Sequence, residues 1–119
     1  MDRPNDSELK VLQVLWEKGN TPAKDIADAL TKAHGYTKNT SYTLINRLIL
    51  KGAVERGEPG FVCRPLITRE QMQQTEAQGL LEKLFDGSAS MLFAALVGGR
   101  KLPDKEREHL QALIDNMDE

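Results

Sequence analysis

Cysteine is nearly missing from these 119 residues, where Cys63 stands alone. One thiol excludes an internal disulfide framework and fits a reducing cytosol. No apolar run approaches the roughly 20 residues that a membrane helix needs. The start of the chain, residues 1–6, is polar and partly acidic and is not expected to act as a secretory signal. A cytoplasmic location is therefore expected. Histidine occurs only at His34 and His109. Neither stands with Cys63 at a spacing that builds a catalytic or metal-binding set. Gly98-Gly99 lacks the following Lys-Ser/Thr of a phosphate loop. Together these absences point away from an enzyme, a cofactor, a metal and a small-molecule substrate.

The most informative absence is negative charge. No acid occurs between Asp28 and Glu55, a window that holds Lys32, Lys38, Arg47 and Lys51, with His34 beside them. The whole chain carries a formal charge of −2. Residues 1–66 hold ten Lys/Arg against eight Asp/Glu, whereas residues 67–119 hold six against ten. Local field decides polyanion binding more than total charge does. The plainer alternative is a chance cluster.

What is present reads as helices with recognisable ends. Asn5 is placed to cap a first helix, with Glu8 three residues on. Leu9, Leu12, Leu15 and Trp16 recur at helical spacing, Val11 and Val14 widen the face, and Gly19-Asn20 ends it. Thr21-Pro22 is expected to open a second helix, Thr as cap and Pro at the first helical position. Ala23, Ile26, Ala27 and Leu30 form its buried stripe, and Gly35 closes it. Thr37 caps a third helix, about 38–51. Its apolar side has Leu44, Ile45, Leu48 and Ile49 with Ser41; Lys38, Asn39, Tyr42, Thr43, Asn46 and Arg47 lie largely opposite. Gly52 stops it. Two short extended runs, 53–56 and 61–64, flank Gly57-Glu58-Pro59-Gly60 and predict a hairpin.

Three helices and a hairpin, in that order, predict a winged helix-turn-helix. The wet side of the third helix then has a purpose. Base edges are told apart only by groove-facing donors, acceptors and methyls. Asn39 suits adenine. Lys38 or Arg47 suits guanine or a phosphate. Thr40 and Thr43 suit a thymine methyl or a phosphate. Tyr42 and Asn46 share that side, and Arg56 and Arg64 on the hairpin would lie along the neighbouring backbone or minor groove. Each piece has a bland counterpart, since exposed Lys, Asn and Thr usually form only a solvated face and Tyr42 can simply shield the stripe. A protein-interaction winged helix without DNA binding is the competing function.

After Leu66 the pattern changes. Thr68-Arg69-Glu70-Gln71 forms a capping box. A helix is expected to about Phe85, then a break at Asp86-Gly87-Ser88, and a short apolar helix over 90–97 that Gly98-Gly99 interrupts. Pro103 starts a last helix with Leu110, Leu113, Ile114 and Met117 on one stripe. Leu80, Leu81, Leu84, Phe85, Leu92, Phe93 and Leu96 are too many large apolar groups for so short a segment to hide. A second copy of the same surface is the simplest cover; packing back on the first domain is the alternative. A two-fold dimer would present two recognition helices to a near-palindromic operator.

These stretches resemble the penicillinase repressors, the family that includes methicillin-resistance and copper-responsive repressors of bacteria. "ELKVLQVLWEKGNTPAKDIADAL" is similar to the family's first two helices, and "TKNTSYTLINRLILKGAVER" to its recognition helix. "PLITREQM" and "LLEKLFDGSASMLFAAL" resemble the lead-in to the dimer helices and those helices themselves. The resemblance implies a homodimeric transcriptional repressor, mainly α with a small β-hairpin wing: a winged-helix DNA-binding domain over 1–66 and a helical dimerisation domain over 67–119. Bound to double-stranded operator DNA, such a dimer blocks polymerase. In antibiotic-responsive members a membrane sensor-protease triggers cleavage, and the matching junction here is Ala95-Leu96. The family usually has Asn before the cut, where this chain has Ala95. Copper-responsive members carry clustered cysteines near the C-terminus, which this chain lacks.

Overall fold

A computed structural model describes residues 3–99 and 103–117, with side-chain surroundings for all of these except 99, 110 and 113–117. The order is α1 (Asp6–Lys18), β1 (Thr21–Pro22), α2 (Ala23–His34), α3 (Lys38–Leu50), β2 (Val54–Gly57), β3 (Val62–Pro65), α4 (Arg69–Leu84), α5 (Ala89–Gly99) and α6 (Asp104–Met117). The fold is mostly helical with a small antiparallel sheet, as a winged helix followed by a helical region requires.

The chain divides into two compact units, residues 1–72 and 73–119. In the first, several helix ends have a local cause. Asn5 Oδ1 accepts from the Glu8 N–H at 2.8 Å, while Glu8 Oε1 accepts from the Asn5 N–H at 2.8 Å. This reciprocal pair satisfies two donors that a helix start leaves orphaned. Gly35 closes α2 in the left-handed conformation, φ 72°, which costs glycine nothing. Thr37 Oγ1 accepts from the Thr40 N–H and caps α3.

Leu12 and Leu15 of α1, Ile26 and Leu30 of α2, and Ile45 and Leu48 of α3 are fully buried against one another. Removing such a side chain from water stabilises by about 1.5–3 kcal/mol. Trp16 closes one edge, its indole N–H donating to the Ile67 carbonyl at 2.9 Å. Met72, in the first turn of α4, is buried in the same core.

Thr21-Pro22 departs from the expectation. It forms a short strand, not a helix start, so the hairpin becomes a three-stranded sheet in the order β1-β3-β2. Thr21 pairs with Cys63 and Pro22 with Val62. The Thr21 hydroxyl turns back and donates to the Gly19 carbonyl at 2.7 Å, so it caps nothing. Pro22 is tolerated because β1 is an edge strand. Pro22 occupies the N-cap position of α2 without a side-chain hydrogen bond. The Ala23 N–H is satisfied from the hairpin instead, donating to the Phe61 carbonyl at 2.9 Å.

Still within the first unit, Thr68 and Gln71 close their capping box across the start of α4, at 2.9 and 3.0 Å. Asp86 and Gly87, both with positive φ, separate α4 from α5. The expected interruption at Gly98-Gly99 does not occur before the end of α5, which includes both glycines. No helix among the described residues is long and apolar enough to cross a membrane.

Candidate nucleic-acid interface

The buried line of α3 is Ser41, Leu44, Ile45 and Leu48. Helical geometry then fixes what faces out: Asn39, Thr43, Asn46 and Arg47 share an exposed strip. Lys38 and Thr40 are exposed beside it at the helix start. Among the described residues no carboxylate pairs with Lys38 or Arg47, and the side chains of Asn39 and Asn46 have no hydrogen-bond partner. The threonines are partly engaged. Thr43 donates its hydroxyl to the Asn39 carbonyl at 2.9 Å, which leaves its methyl and lone pairs outward. Thr37 donates to the Thr40 hydroxyl oxygen at 2.9 Å.

Tyr42 stands apart from this strip. It is half-buried, and its ring meets Phe61 of the hairpin edge-on, with centroids 5.9 Å apart. The Lys38 ammonium lies 5.7 Å from the Tyr42 centroid, and the Arg56 guanidinium 3.7 Å from that of Phe61. Lys38, Tyr42, Phe61 and Arg56 therefore form one continuous run, two rings meeting edge-on and flanked by a cation at each end, from α3 to the wing. Each exposed cation–ring contact contributes about 0.5–1 kcal/mol. Sequence reasoning missed Phe61, whose only signal was an aromatic placed directly after a Pro-Gly turn.

The wing arginines each have an acidic neighbour. Arg56 pairs with Glu58, and Arg64 with Glu55 directly across the strands. The Arg56 hydrogen bond, helped by the Phe61 N–H, holds the Glu58 carboxyl below its ordinary range. These are exposed pairs, weakened by solvent screening, so a phosphate can displace either acid at little cost. Lys51 is different. It bonds Glu8 Oε1 at 2.5 Å, where Glu8 is fully buried, and also donates to the Arg3 carbonyl at 3.2 Å. Of the four Lys/Arg in the acid-free window, Lys51 thus serves the fold.

In the second unit Leu80, Leu84, Met91 and Leu96 are exposed, Phe85, Leu92 and Phe93 half-buried, and Leu81 buried. The side chains of Leu110, Leu113, Ile114 and Met117 lie outside those described. Ala95 and Leu96 are exposed within α5. Among the described residues no group of three or more His, Cys, Asp or Glu is placed to hold a metal ion.

The family model for the penicillinase repressors matches residues 5–116. The chain belongs to the penicillinase repressor family. That is a family of transcriptional repressors and not of enzymes. The chain is 23% identical over 113 residues to the penicillinase repressor of Bacillus licheniformis, covering 93% of this chain and 88% of that one. It is 25% identical over 113 residues to the penicillinase repressor of Staphylococcus aureus, covering 93% and 90%. It is 22% identical over 113 residues to the methicillin resistance regulatory protein MecI of Mammaliicoccus sciuri, covering 93% and 92%.

Proposed function

We propose that this penicillinase-repressor family member is a homodimer that inserts α3 into the major groove of a near-palindromic operator and so blocks transcription. One observation carries the reading: an exposed strip of unpaired amide and guanidinium groups on a rigid, capped helix, with no acid on it. Asn39, Asn46 and Arg47 read base edges or phosphates, Thr40 and Thr43 supply methyl or phosphate contacts, and Lys38 neutralises backbone. Arg56 and Arg64 exchange Glu58 and Glu55 for phosphates as the wing docks. Tyr42 contributes by holding the wing through Phe61.

The dimer half of the reading rests on apolar exposure. Among the described residues, two of the six exposed large apolar side chains, Leu50 and Leu66, lie in the first unit; the other four, Leu80, Leu84, Met91 and Leu96, lie on α4 and α5. A second copy of the unit 73–119 covers them, with Leu81, Phe85, Leu92 and Phe93 filling in behind. Leu110 and Leu113 are assigned to the same seam from sequence alone. The Ala95–Leu96 bond lies in the body of α5, and this reading needs no cut there.

A protein-interaction winged helix is the competing reading, favoured by the neutralised charge of the wing. A gel shift on the DNA upstream of the protein's own gene separates the two. Six or more phosphate contacts predict a loss of about a thousandfold in affinity between 50 and 200 mM salt. Absence of a shifted band at 50 mM, or binding indifferent to salt, refutes the DNA reading.

A further inference from the structure

Tyr36 lies immediately before Thr37, the N-cap of α3, and is fastened at both ends. Its carbonyl accepts a 2.6 Å hydrogen bond from the Thr31 hydroxyl of α2. Its phenol oxygen accepts one of 2.9 Å from the Lys10 ammonium of α1. The Lys10 contact, and after it one from Ser7 a turn earlier on α1, pull the phenol below its ordinary pKa. The ring itself is half-buried against the core of the first unit.

The chemistry of this tether leaves something over. Among the described residues Lys10 makes no ion pair. Its partner is a neutral oxygen, so its charge stays uncompensated. One ammonium N–H is used and two remain, while a phenol that accepts hydrogen bonds still has its own O–H to donate. Fixing a lysine side chain costs rotamer entropy, and part of that loss has occurred before any ligand arrives. A carboxylate at position 36 would tether Lys10 as firmly but cancel its charge.

We infer that Lys10 and Tyr36 together grip a backbone phosphate of bound DNA, flanking the stretch of groove that α3 reads. The inference rests on the DNA-binding reading above and extends its footprint onto α1. Such a contact carries no base information; it fixes the register in which α3 meets the bases.

The test uses the full chain, a duplex of the upstream region and a scrambled duplex of equal length, with fluorescence anisotropy from 0.1 to 0.4 M salt. Each phosphate contact contributes about 0.9 to the slope of log affinity against log salt. Lys10→Gln should lower the slope by that amount. The loss would be about eightfold at 0.1 M and about twofold at 0.4 M, alike on both duplexes. Tyr36→Phe keeps ring and charge but releases Lys10, and should cost about threefold with the slope retained. Thermal melts identify any variant that fails to fold; Lys10→Arg, which keeps the charge, should then restore the slope. If the parent binds steeply with salt and both variants match it, the inference falls while the DNA reading stands. Loss of affinity in Lys10→Gln with an unchanged slope also overturns it, because the residue then acts through the fold. If the parent binds neither duplex even at 0.1 M, both readings fall together.

Discussion

Replacing Lys51 by Met strands a buried charge. Glu8 is fully buried, whereas the Lys51 side chain is 22% exposed. Glu8 Oε2 has no hydrogen-bond partner, so Oε1 does all the work, accepting from Lys51 and from the Asn5 N–H. Without the ammonium the carboxylate keeps one backbone donor. Removing one partner of a buried pair costs about 3–5 kcal/mol. The partial exposure of Lys51 and the apolar stem that Met retains place the expected loss near the lower limit, about 3 kcal/mol at pH 7. With a urea m-value of about 1.5 kcal/mol per M, the midpoint should fall by about 2 M.

The pH dependence gives a sharper check. In the parent, burial pushes the Glu8 carboxyl up. The Lys51 hydrogen bond, the Asn5 N–H and the charges of Lys51 and Arg47 outweigh it, and the carboxyl lies below its ordinary value of 4.5. A depressed carboxyl adds stability that is complete above 4.5 and is lost as pH falls through the folded value. In the variant the hydrogen bond and the charge of Lys51 are gone, so the carboxyl should rise from its parent value. The stability that Lys51 lends the ionised carboxyl is then missing above 4.5, and its loss makes no difference well below the parent's folded value. The gap between parent and variant should therefore be widest at neutral pH and narrow toward acid. Urea unfolding at fixed protein concentration, followed by circular dichroism at several pH values, reads both quantities. A loss under about 0.5 kcal/mol, or a gap that does not change with pH, refutes the assignment of Glu8 to Lys51.

Thr37→Ala removes the α3 cap and should cost about 1 kcal/mol in the same unfolding assay; an unchanged midpoint would mean the Thr40 N–H finds another acceptor. Burial pushes the Cys63 thiol up, against a smaller opposing effect of the Arg56 charge. An aromatic disulfide reagent at neutral pH should therefore label the native protein only as fast as the wing opens, and label it at once in urea; rapid native labelling contradicts the burial. Leu84 is 64% exposed, so Leu84→Glu should leave each chain folded but put a charge into the seam between copies. Sedimentation should then show a dimer for the parent and monomers for the variant. A variant that stays dimeric removes Leu84 from that seam.

The parts of the fold legible in sequence are those decided within a few residues. Asn5 with Glu8, and Thr68 with Gln71, form capping boxes because partner and donor lie three residues apart. Gly35 and Thr37 delimit the helix-turn-helix for the same local reason. Illegible features depended on distant chain. Thr21-Pro22 reads as a helix start until Cys63 and Val62 arrive to pair with it. Lys51 counts as a free cation until Glu8, 43 residues earlier, is folded against it. Tyr42 looked like part of a polar face because nothing in its neighbourhood announces Phe61. Within the candidate interface, the exposure of Asn39, Thr43, Asn46 and Arg47 followed from helical period alone. The ion pairs that quiet the wing required cross-strand register.

The central claim is that the exposed strip of α3 meets DNA, and Arg47→Ala tests it most directly. Affinity for the upstream duplex, and for single-base variants of it, should be measured across a salt series beside the parent. The account predicts weaker binding with folding nearly intact. The loss takes one of two forms: a salt slope smaller by about one, shared by all duplexes, or relaxed discrimination at one base pair worth roughly 1–3 kcal/mol. Isotherms that superimpose on the parent's at every salt concentration and on every duplex would contradict it.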